Sequence, residues 1–378
     1  MKTFIAMTLG VFMLTGCGGD EAQTTTIIDT VDDTITTTKV SLGETLFNDP
    51  NLSLTRNQSC ATCHNPDHAF IDDRDNGING AVSAGDDGFS LGDRNAPMVT
   101  YALFSPNFSN DGEFIGGQFF DGRASDLVEQ AKGPFLNPVE MQMPSESAVV
   151  DRLLENDDYV TQMKTLYGET IFDDPSDAYD ALADAIGTYE ASSEFQTFDS
   201  KFDRVKAGQA TFTAQEAQGE QLFRDMRCAT CHDDRGNNPR FTNFRYENIG
   251  IPKNEDVLIA NGLGTDHIDH GLLDNPNVTN NREDGKFKVS SLRNIAVTGP
   301  YMHNGVFQNL KTVIHFYNTR DNGGINPETG NAWEPSEITA NRVGGDRVGN
   351  LGLSDAQEDA IVAFLKTLTD DRYEALIP

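Results

Sequence analysis

Basic residues are scarce in this chain of 378 residues, which has 28 lysines and arginines against 59 aspartates and glutamates. The formal net charge is -31. A protein that binds nucleic acid must neutralise phosphates with a basic surface, so this composition excludes nucleic acid as a partner. The acidity fits either docking of a basic electron donor or a general role in solubility.

Long apolar runs are also lacking, because the longest extends only from Phe4 to Leu14, short of the ~20 residues that span a bilayer. It follows Lys2 and ends in the letters LTGC, which resemble the cleavage site of bacterial lipoproteins. We therefore expect a signal peptide at residues 1–16 and a lipid anchor on Cys17. The alternative is an incidental cysteine within a signal peptide.

Cysteine is rare as well: there are five, and four of them form two CATCH motifs, at residues 60–64 and 228–232. CxxCH is the attachment signature of c-type haem, in which the thiols bond to the haem vinyl groups and the histidine binds iron. The predicted attachment residues are Cys60, Cys63 and His64 in the first copy and Cys228, Cys231 and His232 in the second. A disulfide within each pair or one four-cysteine zinc site are the alternatives, but neither requires the histidine.

The letters GETLF at 43–47 and GEQLF at 219–223 precede the two motifs, which indicates an internal duplication. Capping boxes at Ser41 to Glu44 and Thr213 to Glu216 predict a helix start before each motif. After a flexible tether at 17–38, rich in Thr and Asp, we expect one haem domain at 39–207 and a second at 208–378. Covalent haem without a disulfide framework fits an exported, periplasmic protein.

Helical periodicity dominates the remaining sequence and predicts a mostly α fold with two cytochrome c-like domains. The apolar stripes are Tyr179, Leu182, Ile186 and Tyr189; Val149, Val150, Leu153 and Leu154; and Ile361, Phe364, Leu365 and Leu368, the last after a capping box at Ser354 to Gln357. Segments 72–93 and 319–350 are rich in Gly, Asn and Asp and are predicted to be loops.

Four further motifs resemble the bacterial dihaem cytochrome c peroxidase and MauG superfamily, and the resemblance covers nearly all residues from Lys39 onward. They are FDGRA at 120–124, QAKGPFLNPVEM at 130–141, SLRN at 291–294 and GPYMHNG at 299–305. The resemblance implies two covalently bound haem c groups, with hydrogen peroxide reacting at the first and electrons passing through the second.

The resemblance also implies the residues of the peroxide pocket: Glu140 as the acid and base, Gln130 beside it, and Pro134 crowding the open iron face. Cleavage of a peroxide O–O bond needs a group that moves a proton from one oxygen to the other, and a carboxylate does this. Without the resemblance, Glu140 would be interpreted as a solvated surface residue. Arg123 and Arg293 are candidate partners of the haem propionates, although Asp121 offers Arg123 a local alternative.

Some members of the superfamily have a histidine that blocks the first haem, and His68 is the nearby candidate. If the haem-motif helix continued, His68 would lie four residues after His64 on the same side, so it could not reach over the haem. We therefore expect His68 to be structural and the first haem to be open.

The sixth ligand of the second iron is predicted to be Tyr317, because the superfamily places this ligand in the corresponding segment and tyrosine there is MauG-like. The alternative is a buried core Tyr317 with Met302 as the ligand, as in the ordinary peroxidases. The other candidates considered are His303, His315, His267 and His270, of which the last two lie in a polar loop.

Two further positions are compared with the superfamily. Phe120 stands where most members have a tryptophan between the haems, and the sole tryptophan of this chain, Trp333, lies in a C-terminal loop. Because phenylalanine is hard to oxidise, stepwise charge transfer through residue 120 is doubtful.

Asn95 and the carbonyl groups of Thr298 and Pro300 match the calcium ligands of the superfamily, although Asn95 could instead be a turn residue.

We therefore expect a lipid-anchored periplasmic peroxidase that draws electrons from a small cytochrome c or a cupredoxin. A MauG-like enzyme that oxidises side chains of a partner protein is the alternative at the same site. A plain electron-transfer cytochrome is the third possibility, and the segment from Gln130 to Glu140 argues against it.

Overall fold

The computed structural model describes residues 28–378, with side chains from Thr38 onward. The predicted signal peptide, Cys17 and the first part of the predicted tether lie outside the described residues. The helices are α1 Ile28–Phe47, α2 Cys60–Cys63, α3 Leu127–Leu136, α4 Glu146–Leu154, α5 Asp157–Tyr167, α6 Pro175–Glu190, α7 Lys201–Lys206, α8 Ala214–Asp225, α9 Glu255–Ala260, α10 Leu310–Thr319 and α11 Asp355–Lys366.

The fold is mostly helical, as predicted, and the strands are short. Strand β1 (Ser109–Asn110) pairs antiparallel with β2 (Phe114–Ile115), and β3 (Tyr246–Glu247) pairs antiparallel with β4 (Phe287–Lys288). An isolated antiparallel bridge between residues 115 and 245 joins the two ladders. The ladders therefore link the N-terminal half of the chain to the C-terminal half.

The chain start corrects two predictions, because α1 begins at Ile28 and runs through the predicted capping box at Ser41. Residues 28–38 are thus helical rather than a tether. Ile28, Val31 and Ile35 recur at spacings of three and four, which continue in register to Leu42, so the segment does have a helical period. A local start signal does not force a helix to begin there when the apolar period of the sequence continues across it.

The other predicted helices are confirmed. Thr213 and Ser354 cap α8 and α11 through the predicted capping boxes. Nearly every residue of the three predicted apolar stripes is buried. Leu154 is the exception, with 46% of its surface exposed, because it lies at the solvent-facing end of α4.

The buried apolar residues form two main cores that follow the chain order. The first extends from Leu42 to Phe195 and is built on α1, α3, α4, α5 and α6. The second extends from Phe202 to Leu368 and is built on α7, α8, α10 and α11. Phe202 packs its ring 5.0 Å from that of Phe241, so α7 belongs with the second core although the predicted boundary lay at residue 208.

Each core contains the same close crossing of two helices. A Cβ atom added at Gly43 of α1 would lie 2.0 Å from the carbonyl oxygen of Ala185 in α6, and one at Gly219 of α8 would lie 1.9 Å from that of Ala360 in α11. Only glycine allows backbones to approach so closely. The two glycines stand at equivalent places in the duplicated letters before the CATCH motifs.

The predicted loops are confirmed, apart from Thr319, which ends α10. Arg320 fixes the second loop with Nη2 hydrogen bonds to the carbonyl oxygens of Val343 and Val348, at 3.0 and 2.7 Å. Among the described residues, no helix is both long enough and apolar enough to span a membrane.

Candidate active site

The first CATCH motif forms the short helix α2, and His64 follows it directly. The His64 amide donates to the carbonyl of Cys60 at 2.9 Å, which completes the turn. The His64 ring places Nδ1 3.1 Å from the carbonyl oxygen of Phe70. Because a carbonyl only accepts hydrogen bonds, Nδ1 carries the proton and the lone pair of Nε2 is left for a metal.

The second CATCH motif repeats this arrangement. A single 3-10 turn spans Cys228–Thr230, and Nδ1 of His232 lies 3.0 Å from the carbonyl oxygen of Phe241. Phe70 and Phe241 both have positive φ angles, 55° and 53°, which turn their carbonyl groups toward the rings. Burial lowers the pKa of His64 and lowers that of His232 to about 4, so both imidazoles are neutral at pH 7, the form in which histidine can bind a metal.

The four motif cysteines are free thiols, which argues against a disulfide within either pair. In the part of the chain that the structure describes, no cluster of three or more His, Cys, Asp or Glu side chains is arranged to hold a metal ion. The zinc alternative therefore has no support, and the thiols remain available for thioether bonds.

A cavity of about 350 Å³ opens beside the second motif and fits a large apolar group. It is lined by Cys228, Cys231 and His232 on one side and by Tyr317 on α10, and Met302 reaches the same cavity. The lining is thus compatible with either predicted sixth ligand.

Tyr317, one of the two ligand candidates in this cavity, has a phenol whose pKa is strongly affected by its surroundings. Burial raises the pKa of its phenol, and the nearby thiols of Cys231 and Cys228 raise it further, while Arg320 opposes them. A phenol in this position ionises only if a cation binds it.

Three histidine candidates for the sixth position are already engaged or distant. Nδ1 of His315 lies 2.9 Å from a Glu358 carboxyl oxygen, and Nδ1 of His270 lies 2.7 Å from Asp284. His267 lines a small pocket and is not among the residues that line the large cavity. The imidazoles of His315 and His270 are thus engaged by carboxyl groups.

The predicted peroxide pocket is built on α3 and the turn that follows it. Gln130 and Pro134 are four residues apart on α3 and so share one face of that helix. Glu140 follows in the turn, where Asn137 Nδ2 donates to its carboxyl at 2.9 Å. The Glu140 charge contributes to raising the pKa of the Cys60 thiol, so the carboxyl lies near the first motif.

Glu140 has the electrostatic setting of an acid and base. Burial raises the pKa of its carboxyl, whereas Arg123 and the Asn137 amide hold the pKa down. A carboxyl poised closer to neutrality both accepts and returns a proton more readily than a solvated one. Glu140 is only partly exposed and its pKa is raised, so it does not have the setting of a freely solvated surface residue.

The structure gives Arg293 protein partners, and its pairing with a haem propionate stays a prediction. Its side chain has no exposed surface, and its guanidinium forms a two-bond ion pair with Asp203 on α7, in which Nη2 lies 2.9 Å from Oδ1. Nε donates to the carbonyl of Pro239 at 2.9 Å. Arg293 therefore connects the SLRN segment to α7. It does not line the large cavity.

Arg123 adopts the local arrangement that Asp121 offered. Its Nη1 lies 2.8 Å from the Asp121 carboxylate, and its guanidinium stacks 3.7 Å over the Phe119 ring. The side chain is 40% exposed, so its pairing with a propionate stays a prediction.

His68 is placed differently from the prediction, although its proposed structural role is not affected. Helix α2 ends at Cys63, and His68 lies in a separate 3-10 turn, Pro66–His68, rather than on a continuing helix. Asn65 interrupts the helix, because its side chain accepts from the Asp67 amide and starts the new turn. Nε2 of His68 lies 3.5 Å from Asp73, at the surface.

The three predicted calcium ligands line the same large cavity. Asn95 uses its amide nitrogen to donate to the carbonyl of Ala81 at 3.0 Å, which leaves its side-chain oxygen pointing elsewhere. The carbonyl oxygens of Thr298 and Pro300 accept no hydrogen bond from any described backbone amide. Amide and carbonyl oxygens are ligands that Ca²⁺ accepts, and several water molecules would complete the coordination of a site that has only these three.

Phe120 lines the large cavity near the junction of the two halves. Its ring centroid lies 6.5 Å from that of His303, which stacks on Phe287 at 3.6 Å. Trp333 instead packs 5.2 Å from Phe316 in the second core, so it does not replace an inter-haem tryptophan.

Sequence reasoning missed two partly buried charged groups at this junction. Arg94 lies 2.6 Å from Asp121 and 2.7 Å from Asp269, which belong to different halves of the chain. Lys288 donates to the carbonyl of Gly117, and burial lowers its pKa to about 8. Their partners are distant in sequence, so no local spacing could have revealed either group.

Comparison with known families and structures agrees with this geometry. Residues 37–211 match the family model described as di-haem cytochrome c peroxidase. The chain is 50% identical over 347 residues to the methylamine utilization protein MauG of Paracoccus denitrificans, covering 89% of this chain and 90% of that protein. It is 33% identical over 279 residues to the cytochrome c551 peroxidase of Pseudomonas aeruginosa, covering 72% of this chain and 69% of that protein.

Among solved structures, the diheme peroxidase BthA of Burkholderia thailandensis aligns with a TM-score of 0.78 and 30% identity, over 90% of this chain and 88% of that one. The fold and these relatives define an oxidoreductase of the haem-dependent class. The chain belongs to the di-haem cytochrome c peroxidase and MauG family.

Proposed function

We propose that this protein reduces hydrogen peroxide at the first CATCH site and takes electrons through the second. The observation that carries this proposal is Glu140, a partly buried carboxyl with a raised pKa, placed near Cys60 by the turn after α3. When bound, a haem at each site supplies an iron that exchanges electrons with peroxide or with the donor.

The residues of the chain would divide the work as follows. Cys60, Cys63, Cys228 and Cys231 would hold the two haems by thioether bonds, and the free Nε2 atoms of His64 and His232 would bind the irons. Glu140 would take a proton from one peroxide oxygen and return it to the other, and the overall reaction consumes two electrons and two protons to give two water molecules. Gln130 would orient the peroxide, and Pro134 would restrict access to small molecules.

Support for the remaining assignments comes from the sequence and the cavity lining. Tyr317 would bind the second iron, and Asn95, Thr298 and Pro300 would hold calcium between the halves. A signal peptide with a lipid anchor on Cys17 would place the enzyme at a periplasmic membrane surface, where a small cytochrome c or cupredoxin would supply electrons.

A second candidate function, oxidation of side chains on a partner protein, is favoured by Tyr317 at the second site and by the 50% identity to MauG. The pocket around Glu140 serves both functions equally, because each begins with peroxide. They differ in the source of the electrons, which is a soluble donor in one case and a protein substrate in the other.

The test is to add hydrogen peroxide to the full haem-loaded chain in the presence of a reduced small cytochrome, a reduced cupredoxin, or a periplasmic protein extract. Oxidation of two equivalents of soluble donor per peroxide supports the peroxidase. Peroxide-dependent mass changes on one extract protein, without donor oxidation, support the MauG-like enzyme. Absence of peroxide consumption in every mixture would contradict both and leave an electron-transfer cytochrome.

A further inference from the structure

Glu190, the last residue of α6, is a buried carboxyl that the proposed reaction does not use. Only 4% of its surface is exposed, its Oε2 has no hydrogen-bond partner, and the described residues offer it no ion pair. Burial raises the pKa of this carboxyl to about 8. An unpaired buried carboxyl costs folding free energy, so its retention calls for a partner from outside the chain.

The position of Glu190 is beside the first CATCH motif. After burial itself, the Glu190 charge is the largest cause of the raised pKa of the Cys60 thiol, ahead of Cys63 and Glu140. Cys60 is the residue proposed to bond to the haem edge, so Glu190 faces the space that the haem would fill.

The duplication supports the same placement independently. Gly43 lies against Ala185 and Tyr189 of α6, as Gly219 lies against Ala360 and Phe364 of α11, with equal distances of 2.8 Å to the Cβ atoms of the two aromatic residues. These contacts fix the equivalence of the two helices residue by residue. The residue after Tyr189 is Glu190, and the residue after Phe364 is Leu365.

Leu365 shows what this position contacts in the second half. It is 3% exposed and lines the cavity beside Cys228 and His232. The equivalent position in the first half therefore faces the first site, and there a carboxyl replaces the hydrocarbon.

Other charged groups near the end of α6 do not pair with Glu190. The charges that shift the pKa of the neighbouring Tyr189 phenol are those of Glu44 on α1, Glu194, Arg372 and Glu190 itself. Arg372 is held by Glu194 instead. On the side of α2, the titratable neighbours are Cys60, Cys63 and Glu140.

We propose that Glu190 contacts the haem of the first site and lowers its reduction potential relative to a site with leucine at this position. The proposal rests on the proposed function in one respect, the binding of a haem at Cys60 and His64. Oxidation of the iron adds a positive charge, and a nearby carboxyl stabilises that charge by ionising. Leu365 has no such effect at the second site.

The test compares the full haem-loaded wild type with Glu190→Leu, Glu190→Gln and the reciprocal variant Leu365→Glu, by optical redox titration of both haems at pH 7 and pH 9. We expect Glu190→Leu to shift the redox equilibrium of the first haem toward the reduced form at least tenfold, which is about 59 mV for one electron. The potential of the second haem should stay constant in that variant and fall in Leu365→Glu.

The pH series separates this effect from a structural one. In the wild type the potential of the first haem should fall from pH 7 to pH 9, because the ionised carboxyl favours the oxidised iron, and both Glu190 variants should lose that slope. Equal potentials and slopes in the wild type and in Glu190→Gln, which keeps the shape, would overturn the proposal even if Glu190→Leu fails to fold. A wild type without haem at the first site would instead contradict the proposed function.

Discussion

The two halves of the molecule share a framework and differ in what they add to it. In both, a glycine on the helix before the CATCH motif contacts the carbonyl of an alanine on the last helix of its half, and a histidine Nδ1 donates to a phenylalanine carbonyl. The N-terminal half adds Glu140 and Glu190, whereas the C-terminal half adds Tyr317. The framework thus repeats one setting of a buried histidine, and a few side chains distinguish the two sites.

The largest expected effect is the loss of peroxide chemistry at the first site alone. Glu140→Gln keeps the side-chain shape but cannot carry the proton, so peroxide consumption should slow by ~10²–10⁴-fold, with both haems attached. Because burial raises the pKa of Glu140, the wild-type rate should fall as the pH drops through that raised value and the carboxylate is protonated. Stopped-flow measurement of peroxide reaction across pH tests both points.

Glu129→Gln is the matched control for this experiment. Glu129 lies on α3, half exposed, and pairs only with Lys132 and the solvent among the described residues. Its substitution should leave the rate unchanged. Equal rates in Glu140→Gln and the control would show that Glu140 is a bystander and that the two sites do not differ in the proposed way.

Substitution of the arginines in the FDGRA and SLRN motifs, Arg123 and Arg293, should change the free energy of unfolding by very different amounts. Arg293→Met removes one partner of a buried ion pair and leaves Asp203 without it, which should lower the free energy of unfolding by about 3–5 kcal/mol. Arg123→Met removes a guanidinium that is 40% exposed and leaves Asp121 paired with Arg94, so it should cost about 0–1 kcal/mol. Urea denaturation of both variants measures the contrast, and similar losses would contradict the assigned roles.

The shared glycine contacts give a prediction that treats the halves alike. Gly43→Ala and Gly219→Ala should each destabilise the protein by about 1–3 kcal/mol, because a methyl group would clash with backbone that must move. Gly133→Ala on α3 is the control: its nearest neighbour atom is 3.6 Å away, so alanine should stabilise by about 0.5–1 kcal/mol. Thermal unfolding decides, and a loss at only one glycine would show that the crossings are not equivalent.

The sequence revealed the parts of this framework that are local. Each CATCH turn is closed by a hydrogen bond from the histidine amide to the carbonyl of the first cysteine, five residues in all. The capping boxes at Thr213 and Ser354 mark real helix starts because their hydrogen bonds join residues only three positions apart. The capping box at Ser41 follows the same local rule, but the helix start predicted there is wrong, because α1 begins at Ile28 and continues past Ser41. A local start signal is thus not decisive where the apolar period of the sequence continues across it.

Long-range partners could not be read in this way. The SLRN motif indicated a special role for Arg293, but only the fold shows that Asp203 occupies its guanidinium. Glu190 could have been found by continuing the alignment of the duplicated halves from the glycines to the ends of α6 and α11, where it pairs with Leu365. Its significance comes from burial without a partner, which sequence does not report.

The smallest expected effect concerns the side chain that most distinguishes the second site. Tyr317→Met should replace an anionic oxygen ligand of the second iron with a neutral thioether, which favours the reduced iron, so the redox equilibrium should shift at least tenfold toward reduction, or about 59 mV. The potential of the first haem should not change, because Tyr317 lies on α10 in the second core. Met302→Ala is the matched control, since Met302 lines the same cavity. If Tyr317→Phe leaves the optical spectrum and potential of the second haem unaltered while Met302→Ala changes both, then Met302 is the ligand, and the second site is that of an ordinary peroxidase.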